Sequence, residues 1–167
     1  MRVYIPLTSS ILRGLSEHGR LSASPITAFA VTPGLREWYV DDDIEELEYA
    51  ASSEAARASL RLISADDTAV PRRIVLAADV EDVAVTVRDD LDRGVVRIES
   101  DVPLSACASV HADDAEAQET VARAAENIDA ADLGDLEAEE VVDDADGYEL
   151  SWYAMQEIED LLADLAR

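Results

Sequence analysis

Pro71-Arg72-Arg73-Ile74-Val75-Leu76-Ala77-Ala78 is the stretch on which the fold turns. After a proline and two arginines come five apolar residues with no polar alternation, the pattern of a strand covered on both faces. Such a strand needs a layer above and a layer below. The N-terminal flank supplies one. Asp41-Asp42-Asp43 offers cap oxygens and first-turn negative charge, and Ile44, Leu47, Ala51, Ala55, Ala58 and Leu62 then recur every three or four residues. That spacing predicts a helix of about 20 residues, roughly 30 Å long. Its alanines allow close approach to a sheet.

Working outward, Val3, Ile5 and Leu7 alternate with Arg2 and Tyr4, the period of a half-buried strand. Pro6 lacks a backbone donor and predicts an edge position or an early end. A short helix follows, capped by Thr8, Ser9 or Ser10 and closed by His18-Gly19. Ile26–Val31 reads as a second strand stopped by the turn Thr32-Pro33-Gly34. Beyond residue 78, strands are predicted around Val83–Val87, Val95–Ile98 and Ala106–Val110. Asp113-Asp114-Ala115-Glu116 then resembles a capping box opening a helix with Ala117, Val121, Ala124 and Ile128 inward.

From Asp129 to Gly147 the chain is acidic, and this tract is expected to be a mobile linker carrying at most a weak helical turn. Past it, Tyr148, Leu150, Trp152 and Ala154 share one face of a strand. Met155, Ile158, Leu162 and Leu165 keep helical spacing. The end of the chain is thus expected to dock on the body, with Trp152 buried. The domain expectation is a main body over 1–128, a flexible linker over 129–147 and a docking strand and helix over 148–167. The fold class is α+β: one domain, a mixed sheet of five to seven strands, and three or four helices.

Composition bounds the function. The chain has 167 residues, 38 acidic against 13 basic, and a formal charge of −25. All the basic residues are arginine. Residues 112–147 hold 14 acids and only Arg123, so −13 falls in this one segment. The field repels nucleic acid and anionic membrane, and favours a basic protein partner. Lysine poverty fits a GC-rich genome; adaptation to a salty cytoplasm is the alternative. No apolar run approaches the roughly 18 residues of a membrane span. The start MRVYIPLTSS lacks the basic-then-apolar pattern of a signal peptide, and Cys107 is unpaired, so a cytoplasmic location is expected.

Catalytic and cofactor signatures fail one by one. Gly14–Leu21 has Walker-like glycine spacing without the Lys or the Ser/Thr, and reads as a helix end. Asp144, Asp146 and Gly147 match three positions of a calcium loop, but Val142 and Tyr153 stand where its anchoring carboxylates belong. Cys107 and His111 lie about 13 Å apart along a strand, beyond proton-transfer reach. His111 with Asp113 and Asp114 reads as a strand end beside a helix cap rather than a metal corner. No metal, cofactor or catalytic residue is implied. The one open constellation is Arg36, Trp38 and Tyr39 with Arg72 and Arg73, whose forks and aromatic faces suit an anionic or planar ligand. Pairing of these arginines with Asp41–Asp43 and Glu45 explains the same residues.

The phrases RVYIP, TAFAVTPGLREWY, EELEYAASSEAARASLRLI, RRIVLAADV and ELSWYAMQEI together resemble a family of short, acidic actinobacterial proteins of unknown function. The resemblance covers nearly the whole chain outside the acidic tract. It implies an actinobacterial, cytoplasmic origin and brings no activity. The expectation is therefore a non-catalytic binding or regulatory protein acting through its acidic surface. The alternative is a small-molecule-binding domain or enzyme using Arg36, Trp38, Tyr39, Arg72 and Arg73.

Overall fold

The computed structural model describes residues 1–22 and 25–167. Its centre is an antiparallel sheet of seven strands in the order β5-β6-β3-β1-β4-β8-β9. In chain order these are β1 (Arg2–Leu7), β3 (Ile26–Phe29), β4 (Ile74–Asp79), β5 (Val85–Val87), β6 (Val95–Ile98), β8 (Cys107–Ala112) and β9 (Ser151–Ala154). A second, two-stranded sheet pairs β2 (Arg20–Leu21) with β7 (Val102–Pro103). The described residues also form six α-helices: α1 (Ser9–His18), α2 (Pro33–Trp38), α3 (Ile44–Ala65), α4 (Gln118–Asp132), α5 (Leu136–Asp144) and α6 (Ile158–Leu165). The class is α+β, as the sequence predicts, and every strand pairing among the described residues is antiparallel.

Residues 74–78 are buried throughout, with β1 on one side and β8 on the other. Val3, Ile5, Leu7, Ile74, Leu76 and Val110 face α1 and α6, where Leu12, Leu15, Leu161 and Leu165 complete one core. Tyr4, Phe29, Val75 and Ala77 face α3, against Leu47, Ala51, Ala55 and Ala56. The helix spans 22 residues and starts at Asp43, whose side chain accepts from the Glu45 amide at 3.0 Å. Its inward stripe then departs from the predicted one. Ser59, Leu60 and Ile63 are buried where Ala58 and Leu62 were expected. The reason is a second partner: the C-terminal half of α3 packs against α4 as well as the sheet. Ser59 Oγ donates to the Leu7 carbonyl at 2.7 Å and accepts from the Ile74 amide at 3.1 Å, riveting α3 to β1 and β4.

Three expectations are corrected. β1 lies between β3 and β4, not at an edge. Its register with β3 is the single pair Tyr4↔Phe29, so Pro6 stands beyond that ladder while keeping register with Val75 of β4. Thr32-Pro33-Gly34 starts a helix instead of making a turn: Thr32 caps α2, and proline suits its first turn, where the amide has no partner. The Asp89 carboxylate sits over this cap, accepting from the Thr32 hydroxyl and from the Gly34 and Gly94 amides. A Cβ on Gly34 would come within 2.6 Å of it, which is why glycine stands there.

The third correction is the largest. The tract 129–147 continues α4 to Asp132, turns at Gly134 (φ 97°) and forms α5, capped by Asp135 through the Ala138 amide at 3.0 Å. Ala138, Val142 and Ala145 are buried against α4, at the three-to-four-residue spacing of a helix face. Leu133 and Leu136, the larger apolar side chains of this tract, are 90% and 81% exposed. The α4–α5 hairpin thus extends the layer made by α3. Among the described residues no helix is long and apolar enough to cross a membrane.

Candidate functional site

α3 lies over β1, β3 and β4 and leaves β8 and β9 uncovered on its side of the sheet. The chain leaving α5 runs back across this gap through a 3-10 turn (Ala145–Gly147) before entering β9. Between that return and α3 lies an open groove of about 540 Å³. One wall is the polar face of α3, opposite its alanine stripe: Glu48, Tyr49, Ser52 and Ser53, then Arg57 one turn on. Tyr4 and His111 form the floor. Asp146, Tyr148, Glu149 and Leu150 form the far wall.

The groove's electrostatics are one-sided. Glu48, Glu54, Asp146 and Glu149 line it against Arg57 and Arg73. Both arginines are already engaged. Arg57 Nη2 lies 3.1 Å from Glu139 and 3.6 Å from Asp132. Arg73 donates twice to Asp113 at 2.8 Å and once to the Tyr148 carbonyl at 2.9 Å. Burial, with the charge of Asp92, pushes the Glu54 carboxyl above its ordinary range. Burial raises Asp146 too, although Arg73 opposes it.

The tyrosines add donors and aromatic faces. Tyr4 Oη donates to Glu48 at 3.2 Å, and burial followed by that carboxylate pushes its phenol up to about 12. Tyr49 Oη donates to Glu149 at 2.9 Å, which raises its pKa. His111 Nε2 lies 3.0 Å from Ser109 Oγ, and burial lowers its pKa, with Arg2 adding to the effect. The imidazole is therefore neutral at physiological pH. Chemically the groove combines an excess of carboxylates with tyrosine faces and the apolar side chain of Leu150.

The residues singled out from sequence are not gathered into one cavity. Of the five, only Arg73 lines the groove. Its pair with Asp113 is buried on both sides, 3% and 0% exposed, and the Arg73 amide also donates to Asp113 at 2.7 Å. Arg72 diverges to Asp164 at 2.8 Å and Gln118 at 3.0 Å. Arg36 pairs with Asp42 on the surface. Trp38 is 62% exposed and carries the Arg93 guanidinium over its ring at 3.5 Å, while Tyr39 packs against the α3-side core. Asp113 and Asp114 also part: the second accepts from Ser151 Oγ. No group of three or more His, Cys, Asp or Glu side chains is placed to hold a metal among the described residues. Cys107 is half-buried, its thiol pushed up to about 11 by burial.

The groove residues Glu48, Tyr49, Ser52 and Ser53 were overlooked because they read as the solvated side of an amphipathic helix. Their spacing does place them on one face. What faces them comes from a hundred residues away and leaves no local mark.

The family of unknown function DUF6912 matches residues 1–162, and the chain belongs to it. The match runs through the acidic tract as well as the phrases that carry the resemblance. No curated protein and no solved structure matches the chain.

Proposed function

We propose that this is a non-catalytic binding or regulatory protein of the cytoplasm that engages a basic partner through its acidic surface, with the groove beside α3 as the point of contact. One observation carries the reading: four carboxylates line a cavity whose two arginines are engaged by Asp113, Asp132 and Glu139, and of the four Asp146 lies 4.0 Å from Arg73 Nη1. A guanidinium or ammonium entering the groove meets an excess of carboxylates over cations in a partly desolvated setting, where such attraction exceeds its value in water. The alternative, an anionic or planar ligand on Arg36, Trp38, Tyr39, Arg72 and Arg73, has weaker support, since three of those residues already hold carboxylates.

Titration with arginine amide, followed by amide chemical shifts, tests the reading. Shifts should localise to α3 and residues 146–150 and weaken with salt. Glu48→Gln with Glu149→Gln, which keeps both tyrosine hydrogen-bond partners, should abolish them. Equal shifts from citrulline amide, the neutral isostere, would overturn the proposal.

A further inference from the structure

Trp152 is the largest side chain the fold leaves open beside the groove. It is 62% exposed and stands directly opposite His111 across the β8–β9 ladder. Paired residues of an antiparallel ladder share a face, with Cβ atoms about 5 Å apart. Trp152 therefore carries on the floor that Tyr4 and His111 form. Leu150, two residues earlier on the same face, lines the groove itself and packs toward α3. Cavity and indole make one surface: acidic at α3, aromatic at β9.

That surface ends at an edge of the sheet, where the Ala154 amide donates to Glu157 Oε2 at 2.7 Å. β9 is the last strand of the sheet, and its residues Ser151-Trp152-Tyr153-Ala154 include no charge, proline or glycine. Exposed edges are ordinarily blunted by such residues. The flanks are acidic instead, with Glu149 on one side and Glu157 on the other. A small cation would use the groove and ignore the tryptophan. An extended chain would use both.

We infer that the groove and Trp152 form one docking surface for an extended, arginine- or lysine-bearing segment of a partner protein, its cationic side chain seated between Glu48 and Glu149 and its neighbouring apolar residue packed on Trp152. This deepens the groove reading above and rests on it. The occupant follows from charge complementarity, since the chain carries −25 and the groove has no free cation of its own to receive an acidic ligand. The indole supplies the apolar anchor that tryptophan commonly provides at protein interfaces.

The test uses the Trp38→Phe chain, so that Trp152 is the sole tryptophan. Three probes are titrated: a short peptide alternating arginine and valine, its glutamate-for-arginine counterpart, and arginine amide. The arginine peptide should bind at least about tenfold more tightly than arginine amide and shift Trp152 emission. Trp152→Ala, read by calorimetry, should lower peptide affinity by about the same factor and leave arginine amide unchanged. Arginine amide binding in the groove with no peptide advantage and no effect of Trp152→Ala would overturn the docking surface and spare the groove reading. Failure of both cationic probes would overturn both. Equal binding of the glutamate peptide would overturn the docking surface by removing its charge argument.

Discussion

Two sites a few residues apart use the same chemistry to opposite ends. At the head of β4, Arg73 and Asp113 are both buried, doubly bonded to each other, and tied to the Tyr148 carbonyl. In the adjoining groove, four carboxylates face two arginines that are spoken for, and the space between them is open. The first is a closed account of donors and acceptors that clamps the C-terminal segment to the sheet. The second holds more carboxylates than cations: Glu48 and Glu149 accept from tyrosine hydroxyls, and Asp146 lies 4.0 Å from Arg73 Nη1. Composition does not separate them, since both are arginine and acid in an acidic chain. Burial and satisfaction do: a matched, buried pair stabilises geometry, and an open cluster keeps an excess of negative charge.

The largest effect expected is therefore at the matched pair. Asp113→Ala strands the Arg73 charge in the core and removes the acceptor of its amide. A loss of about 3–5 kcal/mol is expected, as when one partner of a buried pair is deleted. That is a large part of the about 5–15 kcal/mol that holds a typical domain. Denaturant midpoints would read it. A change below about 1 kcal/mol would show that water reaches the pair and that the two sites differ less than their burial implies.

The acidic hairpin tests the same contrast in apolar terms. Val142 is 1% exposed against α4, whereas Leu136, six residues earlier, is 81% exposed. Val142→Ala should cost about 1–3 kcal/mol. Leu136→Ala should stay within about 0.5 kcal/mol. Amides of the last turn of α5 should exchange slowly; uniformly fast exchange across 136–144 would restore the mobile-linker picture.

This hairpin marks where the sequence stops being readable. The central strand, the long helix and the closing helix all announce themselves, because each buries apolar side chains in a regular pattern. α5 buries one alanine and one valine, and displays its one leucine. A hydrophobicity count therefore points the wrong way. The candidate site was less legible still. Arg72 and Arg73 are adjacent in sequence but, just ahead of β4, pair with different partners, Asp164 and Asp113. Glu48, Tyr49, Asp146 and Glu149 looked like ordinary solvated surface. Only the return of the chain after α5, a tertiary event, brings them together.

In the groove, charge removal should leave the fold intact and change binding. Glu48→Gln with Glu149→Gln should reduce affinity for a cationic probe by about tenfold or more, roughly 1.4 kcal/mol. The melting temperature should stay within about 2 °C of the parent. Glu54→Gln sharpens this with pH. Burial raises the Glu54 pKa above its unfolded value, so the folded state holds the proton more tightly, and stability falls as pH rises through that window. Above it the full penalty is present. Glu54→Gln should therefore raise the melting temperature at pH 7 by about 1–2 °C, and the gain should vanish below the ordinary glutamate range. A gain independent of pH would assign the effect to packing instead.

The smallest expected effect is the most discriminating. Trp152 shares a face with Leu150, and a buried tryptophan there would cost about 3–5 kcal/mol on truncation to alanine. The structure places it where α3 no longer covers the sheet, 62% exposed and opposite His111, while Tyr153 beside it turns toward the α1–α6 core. Alternation along β9 was readable, and which face would be roofed was not, because the roof is set by the length and angle of a distant helix. Trp152→Ala should thus change stability by no more than about 0.5 kcal/mol, the range of ordinary surface substitutions. Tyr153→Ala, one residue along and facing the other way, should cost several times as much, about 2 kcal/mol, from lost apolar burial. Urea midpoints of the two variants decide the matter. If Trp152→Ala proved the costlier, the indole would be part of the core, and the surface joining it to the groove would not exist. If Tyr153 alone is costly, a large aromatic stands free beside unmatched carboxylates, held there at almost no gain to the fold.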